Sequence, residues 1–180
     1  MNSGNGIVSI VVSTFNEEKF LSKTISSLLS QDYSNIEIVI TDDGSTDSTI
    51  DILKMYSTDP RFNIKFGPHT GNVGFNLNES IRRSRGEFIA VLGADDLWEE
   101  NKLSRQLNFM NDESVVCSNG IVIDAADEIF LPSVLHFRNK KYIDLEDLFL
   151  ENCILASSVL ARKFVLTDCL MFDEEIGNRS

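Results

Sequence analysis

The chain opens with a short β-branched run, IVSIVVS (7–13), and then changes period: in NEEKFLSKTISSLLSQ (16–31), Phe20, Leu21, Ile25, Leu28 and Leu29 fall on one helical stripe. Asn16 is placed to cap that helix, with Glu17 and Glu18 in the first turn, where the helix dipole favours negative charge. The rhythm repeats. IEIVIT (36–41) predicts a second strand, DDGSTDS (42–48) a loop with the cap candidates Ser45 and Asp47, and TIDILKMYS (49–57) a helix with Ile50, Leu53 and Tyr56 at three-residue spacing. FNIKF (62–66) predicts a third strand, GPHTGNVG (67–74) a turn-rich loop, 75–84 a short helix, and EFIAVL (87–92) a fourth strand. A last helix carries Leu103, Leu107 and Met110, and Trp98 and Leu103 are expected to pack it against the sheet.

Strands this uniformly apolar are buried on both faces, and helical crossovers between them make a parallel α/β sheet the expected topology. Residues 1–110 therefore read as a doubly wound, nucleotide-binding half, with ligands at the carboxyl ends of the strands. From 111 to 180 the pattern differs: SVVCS, GIVID and EIFL are short strands that predict antiparallel or mixed pairing, and DLEDLFLEN is a helix before SSVLAR. A length of 180 residues with 42% hydrophobic positions suits one domain with a sizeable core.

Charge narrows the chemistry. With a net charge of -12 and its acids dispersed, the chain has no basic footprint for a phosphate backbone, so nucleic acid is not an expected partner. Cys117, Cys153 and Cys169 are far apart and in no metal-type spacing, which reads as reduced core thiols in a cytosolic protein. His69 and His136 have no partner pattern and read as surface or loop residues. No basic region followed by an apolar stretch begins the chain, and no run approaches the ~18 apolar residues of a membrane span.

Two acidic pairs, Asp42/Asp43 in DDG and Asp95/Asp96 in GADD, directly follow two of the apolar strands. At the carboxyl ends of one sheet they could face one crevice, where like charges raise each other's pKa unless donors or a cation offset the repulsion. Mg²⁺ or Mn²⁺ would do so, because these ions take oxygen ligands and Mg²⁺ commonly binds one or two carboxylates together with substrate phosphates. The alternative is that such acids only cap helices, the expected role of Ser45 and Asp47.

VSIVVSTFNEEKFLSKTISSLLSQDYSNIEIVITDDGSTDSTIDIL, RGEFIAVLGADDLWEENKLSRQLNFM and, more weakly, SSVLARKFVLTDCLMFDEEIG resemble a family 2 glycosyltransferase of bacterial polysaccharide and O-antigen type. The resemblance implies a GT-A fold: a Rossmann-like, mostly parallel sheet flanked by helices, with a small antiparallel or mixed extension after the acidic motif. It implies one glycosyltransferase domain over 1–180, with the acceptor half beginning at 111 and truncated at the C-terminus. It also implies an inverting transfer from a nucleotide sugar, a UDP-sugar by expectation, to a saccharide or lipid-linked acceptor, with Mn²⁺ or Mg²⁺ as cofactor. By the same resemblance Ser13, Thr14, Phe15 and Glu17 line the base and ribose, Asp43 accepts the uracil N–H, Asp95 lies near ribose and metal, and Asp96 coordinates the metal. An ionised carboxylate is an acceptor only, which suits Asp43 to that donor.

The chain departs from the pattern in places. Many relatives have proline where Ser13 stands and a further aspartate where Gly93 stands, and the basic residue often found in the 69–87 loop is missing before Arg82. GNVG reads as a turn rather than a phosphate loop. The general base is expected beyond Ser180, with Asp173, Glu174 and Glu175 in a loop preceding it. Cytoplasmic location, at the inner face of a membrane with peripheral association, fits the resemblance. A non-catalytic sugar-nucleotide-binding module stays open, as does a nucleotidyl or phosphoryl transferase, although STFNEE lacks the glycine-rich loop expected of the latter.

Overall fold

The computed structural model describes residues 6–110, 114–131, 142–143, 154–169 and 171–175. Four strand–helix units follow one another: β1 (Val8–Thr14), α1 (Leu21–Leu29), β2 (Ile36–Asp42), α2 (Thr49–Lys54), β3 (Phe62–Phe66), α3 (Val73–Arg83), β4 (Phe88–Gly93) and α4 (Lys102–Phe109). Short strands β5 (Val115–Val116), β6 (Val122–Ile123) and β7 (Ile129–Leu131) come next, then a 3₁₀ turn at Ala156–Ser158, β8 (Leu160–Arg162) and α5 (Lys163–Asp168).

One six-stranded sheet runs in the order β3-β2-β1-β4-β8-β5, and β6 and β7 form a separate antiparallel pair. β1 to β4 are mutually parallel, while β8 is antiparallel to both β4 and β5. The mixed extension expected after the acidic motif is therefore partly an extension of the main sheet. The β-branched strands are buried on both faces, as continuous apolar runs require. Val8, Ile10 and Val12, with Ile38, Ile40 and Leu92, pack against Leu21, Ile25 and Leu28 of α1 and Leu103 and Leu107 of α4. Val11, Val39, Ile89 and Val91 face the other way, onto Leu77 and Ile81 of α3. Trp98 joins the larger core as expected, 8% exposed.

Several local expectations are corrected. Asn16 does not cap α1: it sits at φ 56°, its side chain accepts from Thr46 N–H, and the helix begins five residues later without a side-chain cap. No acid lies in the first turn of α1, so Glu17 and Glu18 do not serve its dipole. They belong instead to the loop packed on the start of α2, where Glu17 N–H donates to Thr49 Oγ1 and Glu18 Oε2 accepts from Ser48 N–H. Asp47 does hold a helix start, its Oδ1 accepting from Thr49 N–H, and α2 ends at Lys54, short of Tyr56. Cys117 is half-buried and Cys169 exposed, so neither is a core thiol; Cys153, His136 and the DLEDLFLEN helix lie outside the described residues. No described helix is long and apolar enough to cross a membrane.

A lysine is buried at the start of α4. Lys102 Nζ lies 3.8 Å over the Trp98 ring and donates to Gln106 Oε1, and burial pushes its pKa from 10.5 down to about 7. Below pH 7 the folded and unfolded chains both carry this proton, and the cost of burying the charge is fully felt. Between about 7 and 10.5 the unfolded chain binds more protons, so stability rises with pH, by at most about 1.4 kcal/mol per unit. The Trp98 contact favours the ammonium and narrows that window. In urea denaturation at pH 7 and pH 9, the unsubstituted chain should gain roughly 1–3 kcal/mol from this group and Lys102→Met should not. Parallel pH dependence in the two chains would show that the amine carries no burial cost.

Candidate functional site

Parallel pairing sets the site. Ser13 stands opposite Thr41 of β2 and Gly93 of β4, so the two segments carrying the acidic pairs leave the sheet at one level on either side of β1. Both acidic pairs therefore leave one carboxyl edge of the sheet, the edge at which ligands were expected.

At the end of β2 the two aspartates differ in role. Asp42 is fully buried, and its carboxylate accepts from Gly44 N–H, Ser45 N–H and Ser45 Oγ–H, closing a turn on itself. Asp43 is also held from within. Its Oδ1 accepts from Thr70 N–H at 2.8 Å and Thr70 Oγ1–H at 2.7 Å, and its Oδ2 from Gly71 N–H at 2.9 Å. Burial opposes the charge on Asp43, but the donors from Thr70, Asn76 and Gly71 outweigh it and hold the carboxyl below its usual range. His69, read from the sequence as a surface or loop residue, does lie in a loop with its side chain 53% exposed, but it also meets two residues of the site: its Nδ1 lies 3.0 Å from the Asp43 carbonyl and 3.1 Å from Asp43 Oδ2, and its ring stacks on Phe15 with centroids 4.2 Å apart. Sequence reasoning missed His69 because its only signal was a ring in a turn-rich loop, 54 positions from the aromatic it meets.

The end of β1 lies between the acids. Ser13 is half-buried, Phe15 is 40% exposed, and Thr14 is buried with an Oγ1 that has no hydrogen-bond partner among the described residues. A buried hydroxyl left unpaired costs about 1–3 kcal/mol, which makes Thr14 Oγ1 a group that a ligand could satisfy. Glu17 has its carboxyl pKa raised by burial first, then by the charges of Asp95 and Asp47. Glu17 and Asp95 are therefore electrostatic neighbours, although they leave different strands.

Beyond β4, Asp95 and Asp96 are exposed and turn back over Gly93: one point above its Cα, where a Cβ would stand, lies 2.8 Å from Asp96 Oδ2 and 3.0 Å from Asp95 Oδ1. Asp96 Oδ2 accepts from Ser157 Oγ–H, while Asp96 Oδ1 and both oxygens of Asp95 receive no hydrogen bond from the described residues. The two converging oxygens, Asp95 Oδ1 with no donor and Asp96 Oδ2 with the Ser157 hydroxyl alone, fit a divalent cation. No group of three His, Cys, Asp or Glu able to hold a metal occurs among the described residues, so oxygens of a bound substrate would have to complete the shell. Both acids line a cleft of about 1140 Å³, together with Trp98, Lys102, Gln106 and Ser157.

Residues 9–168 match the family described as Glycosyl transferase family 2, and the chain belongs to that family. It is 38% identical over 112 residues to UDP-Glc:alpha-D-GlcNAc-diphosphoundecaprenol beta-1,3-glucosyltransferase WfaP of Escherichia coli, covering 62% of this chain and 44% of that one. In fold it is similar to S. aureus TarS 1–349 in complex with UDP, with a TM-score of 0.68 and 22% identity over 96% of this chain and 52% of that one. It is also similar to mannosyltransferase PcManGT from Pyrobaculum calidifontis in complex with GDP-Man and Mn²⁺, with a TM-score of 0.59 and 24% identity over 68% of this chain and 37% of that one. These structural likenesses establish the GT-A fold. The chain spans about half the length of the curated relatives it matches, between 44% and 55% in four of them.

The Asp43 clamp depends on Gly44. It sits at φ 77°, and a Cβ there would stand 2.6 Å from His69 N and 3.1 Å from His69 Cα. Gly44→Ala should cost about 1–3 kcal/mol in chemical denaturation, from left-handed backbone strain and from pushing the 69–71 loop off Asp43. Unchanged stability would show that the loop retreats freely and does not depend on this contact.

Proposed function

We propose that this chain is the donor-binding part of a metal-dependent, inverting glycosyltransferase that uses a UDP-sugar. The observation that carries the reading is the placement of Asp43 and of Asp95/Asp96 at strand ends flanking β1, with the β4 acids converging above Gly93. We read 1–110 as the nucleotide-binding half and 111–180 as the start of the acceptor half of one domain.

In this reading Asp43 accepts the uracil N–H. Its oxygens already take donors from Thr70 and Gly71, and each carboxylate oxygen has a second lone pair for a ligand. The clamp keeps the group ionised and fixed, so binding a base costs it little rotamer freedom. Phe15 offers a partly exposed ring face beside it, backed on the other side by His69, and Ser13, the Thr14 hydroxyl and Glu17 line the base and ribose. Asp96 holds Mn²⁺ or Mg²⁺, with Asp95 beside it near the ribose. When bound, that ion neutralises charge developing on the departing diphosphate, an interaction stronger in the transition state than in the ground state. The cleft beyond Asp95 and Asp96 is open to a sugar and a saccharide or lipid-linked acceptor, as WfaP's name describes for that enzyme.

No described residue is assigned as the general base. Glu174 Oε1 accepts from Asn78 and Arg82 of α3, and Asp173 Oδ1 accepts from Glu175 N–H, which makes this acidic stretch a loop tied to a helix.

Calorimetry with UDP and with GDP, each with and without Mn²⁺, tests the donor reading. UDP should bind at least roughly tenfold more tightly with Mn²⁺ present, in line with the loss that altered metal sites show, and GDP should bind more weakly than UDP. Equal UDP affinity with and without the ion removes the metal from the reading, and preference for GDP removes uracil. Asp43→Asn should weaken UDP binding by about 1–3 kcal/mol, because an amide presents donors where the base N–H and the loop N–H groups need an acceptor. An unchanged dissociation constant would reduce Asp43 to a residue that holds its own loop.

A further inference from the structure

A segment some 60 residues away reaches the acidic motif. Ser157 sits in the 3₁₀ turn Ala156–Ser158, and its Oγ–H donates to Asp96 Oδ2 while its Oγ accepts from Gly93 N–H at 2.9 Å. The turn is anchored on both sides of that hydroxyl. Trp98 Nε1–H donates to the Ser157 carbonyl at 2.7 Å, and Gln106 Nε2 donates to the Ser158 carbonyl at 2.7 Å. Directly after it, β8 pairs antiparallel with β4, with Leu160 opposite Ala90 and Ala161 opposite Ile89. The hydroxyl is thus fixed relative to the strand whose end carries the acids.

We propose that Ser157 is a positioning residue for the metal-binding carboxylate: it holds Asp96 by Oδ2, the oxygen that converges with Asp95 Oδ1, and leaves the second lone pair of Oδ2 and the whole of Oδ1 for a divalent cation; this rests on the metal reading of Asp95 and Asp96. The physical case has two parts. Asp96 is exposed at the end of a strand, where a short side chain samples several rotamers, and the described residues provide its carboxylate with no donor besides Ser157. With Gly93 N–H bonded to its oxygen, the Ser157 hydroxyl has its proton left for Asp96. Its direction is set by the backbone and not by solvent. Hydrogen-bonded supports of this kind tune metal ligands, and losing one typically costs about 10–100-fold in metal affinity.

The test compares the unsubstituted chain with Ser157→Ala, Ser157→Thr and Asp96→Asn, by titrating Mn²⁺ in the presence of UDP and following the loss of the free-ion paramagnetic resonance signal. Ser157→Ala is expected to weaken Mn²⁺ binding by about 10–100-fold. Ser157→Thr, which keeps the hydroxyl, should restore affinity to within a few-fold. The affinity for UDP measured without metal should be the same in the serine, alanine and threonine chains, which separates a role at the ion from general damage to the fold. If Ser157→Ala binds Mn²⁺ as tightly as the unsubstituted chain while Asp96→Asn does not bind it, the proposal falls and the metal reading stands. Equal loss of metal-free UDP affinity in Ser157→Ala also overturns the proposal, in favour of a structural role. If the unsubstituted chain takes up no Mn²⁺, or Asp96→Asn binds it as well, the metal reading falls and the role of Ser157 falls with it.

Discussion

Ser13 pairs across β1 with Thr41 on one side and Gly93 on the other, and this shared register decides where the acids of the site fall. Parallel strands start and end at one level only if their crossovers return the chain to the same edge, which α1, α2 and α3 do. Had β4 slipped one residue against β1, its buried set would have turned to the opposite face, and Asp95 and Asp96 would have moved about 3.3 Å along the strand direction. The apolar alternation that builds the two cores and the geometry of the acidic edge are therefore one constraint. Val12 and Leu92, opposite one another and both fully buried, hold it one residue below the site.

With the acids placed, the protein treats the two pairs in opposite ways. The β2 pair is supplied with donors: Asp42 closes a turn on Gly44 and Ser45, and Asp43 is gripped by Thr70 and Gly71. The β4 pair is left short of them, with a single hydroxyl on Asp96. A carboxylate rich in donors is a stable, ionised acceptor, while carboxylates poor in donors and close together are stabilised by a cation. The pKa of Glu17 is raised by burial first and then by the charges of Asp95 and Asp47, and that second part is a further mark of uncompensated negative charge at that end.

The β8 segment links the extension to the site. It adds to the main sheet beside β4, covers its edge with antiparallel pairing, and brings the 3₁₀ turn to the acidic motif. Trp98 serves both ends of this arrangement, packing in the core below the sheet and donating its indole N–H to the turn. Membership of Glycosyl transferase family 2, matched over 9–168, runs through this region as well.

The period of the apolar residues was enough to read the four strands, the four helices and the parallel, doubly wound sheet, because burial on both faces leaves its mark along β1, β2 and β4; β3, at the sheet edge, is largely exposed and shows only a short alternation. The acidic pairs were legible for a related reason, since charges directly behind a buried strand must be either capped or used. Local chemistry misled where a loop had another partner: Asn16 looks like a helix cap, but its side chain is engaged by Thr46 and its backbone takes φ 56°. What only the tertiary structure decided are the contacts between segments with no common period. His69 meets Phe15 and Asp43, and Thr70 supplies Asp43, because Gly44 leaves room for that loop to close. Ser157 meets Asp96 because β8 joins β4. Hydrogen-bond partners drawn from distant loops depend on distances of a few tenths of an ångström, and such distances exist only once the sheet has brought the loops together.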